Sequence, residues 1–151
     1  MIMDLMFMAK IISNVVYELV FLSIYNFIKN RSQENLNHLV KVGFCTISIY
    51  FIHKYEPKNS LTLRPKNGKN CFLNKQLESN FFFETGFPSG HAAMTTLFCA
   101  YSIKNNLANI PLVIFNIFLI IIMSWARWYS NCHTITQIVA GIFYGLFLTV
   151  I

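Results

Sequence analysis

Residues 110–151 read IPLVIFNIFLIIIMSWARWYSNCHTITQIVAGIFYGLFLTVI, two apolar runs joined by a short polar connection. The runs, 110–126 and 135–151, are close to the length that an α-helix needs to cross a lipid bilayer. The only charged residue from Asn105 to Ile151 is Arg127, and an arginine in such an apolar setting is costly unless it has a function. This region therefore predicts two membrane helices with a functional residue where they meet.

Three further apolar runs precede this region, at 6–28, 39–52 and 92–103. Because a helix rises about 1.5 Å per residue, the second and third of these runs are too short to cross a hydrocarbon layer of about 30 Å. They must extend into their polar flanks or pack inside a bundle. We therefore predict an all-α fold, an integral membrane bundle of about five transmembrane helices that makes one domain of residues 1–151.

The composition of the 151 residues is also typical of a membrane protein. Hydrophobic residues make up 55% of the chain and charged residues 12%, which is about half the charged share of a soluble domain. This balance argues against a water-soluble monomer and against a disordered chain. The formal net charge is +6, and half of the twelve basic residues fall between Lys54 and Gly86. We expect an anionic lipid headgroup or a phosphate as their partner and not a nucleic acid, because a soluble scaffold with stacking aromatic residues is missing.

Five spans place the loop 53–89 and the connection 126–133 on the same side of the membrane. These two segments contain most of the unusual residues of the chain. Folding is expected to bring them together as a polar layer, containing the active site, over one end of the bundle. Within the loop, a short interfacial helix is predicted around 73–83.

The four cysteines form no CxxC pair and have no zinc-like spacing with histidine, so a metal-binding knuckle is not expected. Cys45 and Cys99 lie in apolar runs and are expected in the core. Cys71 and Cys132 lie in the two polar segments, where a disulfide between them requires an oxidising face of the membrane.

Pro88, Ser89, Gly90 and His91 precede the third apolar run. Such residues are ordinary helix-start signals, so a turn and a cap is the simpler interpretation. The alternative is an anion site at the helix N-terminus, where Gly90 lets a phosphate approach and Ser89 donates a hydrogen bond. His91 would then pass a proton to a leaving oxygen.

A second polar group lies where the fourth run meets the fifth. Arg127 stands among two tryptophans and a tyrosine, which is typical of an interfacial anchor, and His133 would then be a polar residue at the membrane boundary. Neither interpretation explains why the one charge in this region lies near a histidine. Gln137, one turn after His133, is on the same helical face and is expected to hydrogen-bond its ring.

The third polar group lies in the basic loop, where Lys58 precedes Arg64 and Pro65. A run of basic residues is usually a solvated surface, or a cytoplasmic loop that follows the positive-inside rule. The functional alternative is that the Arg64 guanidinium binds two phosphate oxygens while Lys58 adds a point charge.

In this order, the three groups resemble the motifs of the type 2 phosphatidic acid phosphatase superfamily, which includes lipid phosphate phosphatases and isoprenyl diphosphate phosphatases. The resemblance covers residues 58–141. It implies a membrane phosphatase that uses no metal or other cofactor and hydrolyses a lipid phosphate or an isoprenyl diphosphate. His133 would attack phosphorus and form a phosphohistidine, and His91 would protonate the leaving group. The implied phosphate ligands are Arg64, Arg127, Ser89 and the amide of Gly90, with Lys58 as a further candidate.

The chain departs from the family pattern at three points. In the family six residues separate the lysine from the arginine, which puts the lysine at the position occupied here by Pro57, so Lys58 is displaced by one. Gln137 stands where most members have the aspartate that orients the nucleophilic histidine, although glutamine also appears in the dolichyl diphosphatase branch. Five spans are found where the family usually has six. A competing hypothesis is therefore a membrane protein that binds lipid phosphate but is catalytically attenuated or inactive.

Two further hypotheses fit the sequence less well. A soluble vanadate-dependent haloperoxidase shares the motifs but would not need the apolar spans. A channel or structural membrane protein would leave the clustering of two arginines and two histidines unexplained.

The basic residues outside the loop bear on orientation. Four of them lie on the side opposite the polar layer and favour a cytoplasmic location for that side: Lys29, Arg31, Lys41 and Lys104. The sequence thus predicts a multi-pass membrane protein with its site on the non-cytoplasmic face, and it predicts no oligomeric state.

Overall fold

A computed structural model describes residues 5–66, 71 and 84–151 of the chain. Within these ranges the chain forms α-helices and no strand, apart from one isolated bridge between Leu63 and Thr85. The helices are α1 (Leu5–Lys29), α2 (Gln33–Tyr55), α3 (Gly90–Asn105), α4 (Ile110–Tyr129) and α5 (Ile135–Val150). The predicted all-α fold is confirmed, and the two short apolar runs do extend into their polar flanks as α2 and α3. The predicted helix at 73–83 lies outside the described residues.

Each helix from α2 to α5 begins at a polar capping residue. Side-chain oxygens of Ser32, Ser89, Asn109 and Thr134 accept hydrogen bonds from backbone amides in the first turns of these helices. These bonds satisfy amide groups that a helix start leaves without partners. At α5 the cap is reciprocal, since the side-chain oxygen of Gln137 accepts from the backbone amide of Thr134. Residues of the candidate motifs therefore also determine where α3 and α5 begin.

The central helix is α3, which contacts the other four helices. Its most extensive contact is with α5, where Gly141 and Gly145 face the α3 backbone. A methyl group at Gly141 would collide with the carbonyl oxygen of Ser89, and one at Gly145 would collide with that of Ala93. Small residues four positions apart let two helices approach closely. This contact fixes the start of α3 against the start of α5, where the second and third motifs lie.

We expect Gly145→Ala to destabilise the fold. Besides meeting the Ala93 carbonyl, the new carbon would lie 2.9 Å from Thr96 Cβ, and overpacking of this kind costs about 1–3 kcal/mol. Gly43→Ala on α2 is the matched control, because nothing lies within 4 Å of a Cβ there and the change removes the cost of about 0.5–1 kcal/mol of a mid-helix glycine. Thermal unfolding in detergent compares the two. Equal stability of the two variants would contradict the close packing of α3 and α5.

The outer surfaces of the helices are apolar. Side chains such as Phe21, Ile114 and Phe143 are more than half exposed, whereas the polar Thr95 and Asn116 are buried between helices. Among the described residues, α1 and α4 are each long and apolar enough to cross a membrane, and α5 is a shorter apolar helix. The bundle thus has an interior that contains polar groups and an exterior with large exposed apolar side chains.

The two polar segments meet at one end of the bundle, as the sequence predicts. Residues 62–64 pair with residues 84–86 through the isolated bridge and two backbone hydrogen bonds. Arg64 then reaches the connection between α4 and α5, where its Nη1 donates to the Cys132 carbonyl oxygen at 2.9 Å. One end of the bundle therefore carries all three candidate motifs.

Candidate active site

A cavity of about 550 Å³ lies between α1, α2 and α3 and reaches the polar end of the bundle. Arg64, Gly90, His91 and His133 line it, so the structure brings four of the predicted site residues to one place. His53 of α2 lines the same cavity. Among the described residues that line it, none is acidic. The charge of this lining therefore favours an anionic ligand.

The imidazole of His133 is 2% exposed and is held by two contacts. Its Nδ1 lies 3.0 Å from the Gly86 carbonyl oxygen, and because a carbonyl only accepts, Nδ1 carries the proton. Its Nε2 lies 3.1 Å from Nη1 of Arg64, and because a guanidinium only donates, Nε2 presents its lone pair. The ring is therefore held as the neutral tautomer, with the lone pair of Nε2 directed toward Arg64.

Burial of the ring holds the pKa of His133 well below its usual value of 6.5, and the positive charges of Arg64 and Arg127 lower it further. A histidine acts as a nucleophile only when it is neutral, because a protonated ring has no lone pair on Nε2. Burial and the two arginines thus keep His133 neutral, the form that a nucleophilic role would require.

We expect His133 to remain neutral well below pH 6.5 in the free protein. Since the pKa in the folded state is lowered, the neutral form survives as the pH falls through 6.5 and is lost only at more acid pH. Histidine ring signals of ¹³C-labelled protein, followed by NMR between about pH 8 and pH 5, measure this. A His133→Gln sample assigns the signal. A titration midpoint near 6.5 for His133 would contradict the burial and charge that the structure gives it.

Gln137 makes different contacts from those predicted. Its side-chain oxygen lies 3.1 Å from the Thr134 amide, which donates to it. Its NH₂ group donates to three backbone carbonyls, of Leu61, Thr62 and Leu63, at 3.1, 3.2 and 2.9 Å. The prediction that Gln137 hydrogen-bonds the ring of His133 is therefore wrong, since the Gly86 carbonyl holds Nδ1. Gln137 instead links the start of α5 to the backbone that leads into Arg64. The link uses the two N–H donors of its amide, which the three carbonyls share.

A disulfide links Cys71 and Cys132, the two cysteines that the sequence places in the polar segments. The carbonyl oxygen of Cys132 accepts from Arg64, and that of Cys71 accepts from Nη1 of Arg127 at 3.1 Å. Cys132 directly precedes His133. The cross-linked pair therefore holds both guanidinium groups beside the loop that carries His133. The expectation that Cys45 and Cys99 are core residues is confirmed, because both are free and buried.

Arg127 lies near the end of α4 and is 1% exposed. Its backbone carbonyl accepts from the amides of Cys132 and His133, at 3.1 and 3.3 Å, and so shapes the connection to α5. Its Nε is buried and has no hydrogen-bond partner among the described residues. A buried donor on a charged group is costly when it is unpaired, but Arg127 is not among the described residues that line the cavity. Its burial argues against a simple interfacial anchor, and anion binding by Arg127 stays a prediction.

Ser89 and Gly90 form the start of α3. Ser89 is fully buried, and its backbone amide donates to the Gln137 carbonyl at 2.8 Å. A Cβ at Gly90 would lie 3.0 Å from the Cγ2 methyl of Ile49, so glycine keeps this part of the cavity open. Contacts of these two residues with a phosphate stay predictions.

Lys58 is not brought to the cavity. Its Nζ lies 2.7 Å from Oε2 of Glu84, and both side chains are 63% exposed. The shift of this lysine by one position from the family spacing places it on the surface of the loop, where it pairs with a carboxylate. Its role as a phosphate ligand has no support from this geometry.

Sequence reasoning missed the roles of Gly86 and His53. A Cβ at Gly86 would lie 2.9 Å from Cγ of Arg64 and 3.1 Å from Nδ1 of His133, so a side chain would displace the groups that it separates. The ring of His53 contacts the Pro88 carbonyl oxygen at 2.9 Å. The position of Gly86, two residues before the Pro-Ser-Gly-His segment, was a weak signal that a side chain is excluded there. The sequence contains no spacing that indicates the contact of His53 with Pro88.

Comparison with known proteins identifies one family. No curated protein and no solved structure matches the chain. A family model described as the PAP2 superfamily matches residues 36–151, which contain all the candidate site residues. The match covers well over half of the chain, and the motif resemblance points to the same superfamily. The protein therefore belongs to the PAP2 superfamily, and this membership indicates a phosphatase-type activity.

Proposed function

We propose that the protein is an integral membrane phosphatase that hydrolyses a lipid phosphate or an isoprenyl diphosphate, without a metal ion, through a phosphohistidine at His133. The observation that carries this proposal is the cavity, which joins cationic and imidazole groups to an apolar wall. Six side chains of that wall are Val16, Val20, Phe21, Cys45, Ile49 and Met94. The volume of about 550 Å³ is in the range of small-molecule sites. A substrate with a phosphate head and a hydrocarbon tail matches both parts.

The proposed reaction begins at Nε2 of His133. Its lone pair attacks phosphorus while Nη1 of Arg64, 3.1 Å away, turns from the ring to a phosphate oxygen. The bond from phosphorus to the leaving oxygen breaks, and His91 gives that oxygen a proton. The Gly86 carbonyl accepts a hydrogen bond from Nδ1–H and so stabilises the positive charge that develops on the ring. Water, deprotonated by His91, then attacks the phosphohistidine, which releases phosphate and restores neutral His133.

The main requirement of this chemistry is positive charge beside the negatively charged oxygens of the transferring phosphoryl group. Arg64 and Arg127 supply it here, each held by a carbonyl of the disulfide pair. Both guanidinium groups contact these carbonyls before substrate binds, and only the contact of Arg64 with the His133 ring is exchanged for a phosphate oxygen, so little reorganisation is needed in the transition state. This cationic pair would take the place that a metal ion has in other phosphatases.

We further propose that the helices cross a membrane and that the tail of the substrate enters the cavity from the lipid. The apolar wall belongs to α1, α2 and α3, and the side chains of Tyr17 and Tyr50 lie at its border, 44% and 41% exposed. Large exposed apolar surfaces such as those of α1, α4 and α5 are rare on soluble monomers. A multi-pass arrangement gives each of these surfaces a lipid environment.

The site is proposed to face away from the cytoplasm. Lys41 and Lys104 lie together at the opposite end of the bundle, where they line a small cleft with His38, and basic residues favour the cytoplasmic side. The Cys71–Cys132 disulfide lies at the site end, and disulfides persist in oxidising compartments. The two observations are independent and favour the same orientation.

The test is phosphate release by purified protein in detergent with EDTA present. Phosphatidic acid and farnesyl diphosphate are the lipid substrates, and glycerol 3-phosphate is the soluble control without a tail. We expect the lipids to be hydrolysed with a kcat/KM much higher than that of the control. No release from either lipid, while orthovanadate binds, would support an inactive lipid-phosphate-binding protein instead.

A matched pair of variants tests the tail cavity. Val20→Trp places a large side chain in the cavity, whereas Ile114→Trp makes the same change on the exposed surface of α4. We expect Val20→Trp to raise the KM for the lipid and to change the KM for glycerol 3-phosphate little. Ile114→Trp is expected to change neither KM. Equal lipid KM values in the two variants would contradict a tail-binding role of the cavity.

A further inference from the structure

We propose that His53 is a positioning residue of the active site, which holds the segment 85–91 and, through it, both His91 and His133. The inference rests on the proposed phosphatase function. His53 lies near the end of α2, outside the three motifs, and is 8% exposed.

His53 contacts the segment at two points. Its Nε2 lies 2.9 Å from the Pro88 carbonyl oxygen, and since that oxygen only accepts, Nε2 donates. Its own backbone carbonyl accepts from Oγ1 of Thr85 at 2.6 Å. The end of α2 is thus attached to the segment both before and after Gly86, at residues whose backbone positions determine where the motif lies.

The segment held in this way carries the parts of the site that orient the histidines. The Gly86 carbonyl receives Nδ1–H of His133 at 3.0 Å and sets its tautomer. Ser89 caps α3, whose second residue is His91. The ring of His53 also lines the cavity beside both histidines. A shift of Pro88 would therefore move the acceptor for one catalytic ring and the helix start that carries the other.

The size of the effect follows from how strongly phosphoryl transfer depends on alignment. A misplacement of about 1 Å in a catalytic group lowers a rate by about 100-fold. A residue that only fills space in the core would change stability and leave the rate per folded molecule unchanged. The two roles therefore give different results when kcat and stability are measured together.

His38 provides the matched control. It lies on the same helix and is 4% exposed, stacks on Tyr101 with ring centroids 3.9 Å apart, and lines the cleft at the opposite end of the bundle. His53→Leu and His38→Leu thus make the same change at two buried sites of α2. Only the first removes a contact to the active-site segment.

The experiment measures kcat, KM, Tm and the Kd for orthovanadate, a mimic of the phosphoryl-transfer transition state. We expect His53→Leu to lower kcat by about 100-fold with a smaller change in KM, and to weaken orthovanadate binding. His38→Leu is expected to lower Tm and to leave kcat and Kd unchanged. His53→Gln, which keeps an N–H donor, should restore most of the lost kcat.

Two results would overturn the proposal. One is a His53→Leu protein that keeps the kcat and the orthovanadate Kd of the wild type. The other is a His53→Gln protein as impaired as His53→Leu, since the donor to Pro88 would then not be what matters. If the wild type hydrolyses no lipid phosphate, the proposed function fails, and orthovanadate Kd values alone decide the role of His53. A wild type that also fails to bind orthovanadate overturns both.

Discussion

His133→Ala is expected to lower kcat for a lipid phosphate by roughly 10⁴-fold or more, because the substitution removes the nucleophile and no other route has a comparable barrier. Binding of inorganic phosphate should survive within a small factor. Arg64 and Arg127 keep their contacts to the carbonyls of the disulfide pair in this variant, so the cationic part of the site remains. Phosphate release and phosphate affinity, measured on one preparation, separate the two effects.

A change at His91 gives the contrast. His91→Ala should slow substrates with poor leaving groups most, because a leaving group that is already a stable anion needs little protonation. A nitrophenyl phosphate should thus retain more of its rate than a lipid monophosphate. Equal losses for all substrates in the His91 and His133 variants would contradict the separate roles of nucleophile and acid.

Gln137→Glu is expected to damage both stability and rate. The two side chains have nearly the same shape, but the carboxylate would face the three carbonyl oxygens that now accept from the amide: those of Leu61, Thr62 and Leu63. A buried charge that loses its partners costs about 3–5 kcal/mol. The backbone that leads into Arg64 would shift, and we expect kcat to fall by about 100-fold.

Thermal unfolding and turnover of Gln137→Glu, beside Gln137→Ala, test this account. The alanine variant leaves three carbonyls without their donor but adds no charge, so it should be the less destabilised of the two. If Gln137 instead oriented His133 directly, as the family aspartate does, a carboxylate would stabilise the ring cation and raise the rate. A Gln137→Glu protein faster than the wild type would therefore contradict the scaffold role.

The helices could be predicted because their signals are local. Long apolar runs with one charge in the C-terminal region predicted α4 and α5, and the Pro-Ser-Gly segment predicted the start of α3. The number and order of the apolar runs then predicted that the two polar segments lie at one end of the bundle. Arg64, His91 and His133, which line one cavity, were therefore predictable as a group.

The contacts within the site could not be predicted in the same way, because they depend on backbone atoms. The spacing of Gln137 after His133 predicted that both lie on one helical face and contact each other. In the structure the Gln137 amide donates to the carbonyls of residues 61–63, and the His133 ring donates to the carbonyl of Gly86. A backbone carbonyl is present at every residue, so the sequence does not mark the one at Gly86 as special. The disulfide and the ion pair of Lys58 likewise depend on how the loop 53–89 folds.

The proposed attack of Nε2 of His133 on phosphorus leaves a covalent intermediate, a phosphohistidine. The most direct test is a rapid acid-free quench of wild-type protein during turnover of a lipid phosphate labelled with ³²P, followed by mapping of the labelled residue. We expect phosphate on Nε2 of His133, formed and lost at rates that support turnover. Hydrolysis without a labelled protein, or a label on His91 with His133 unmodified, would contradict it.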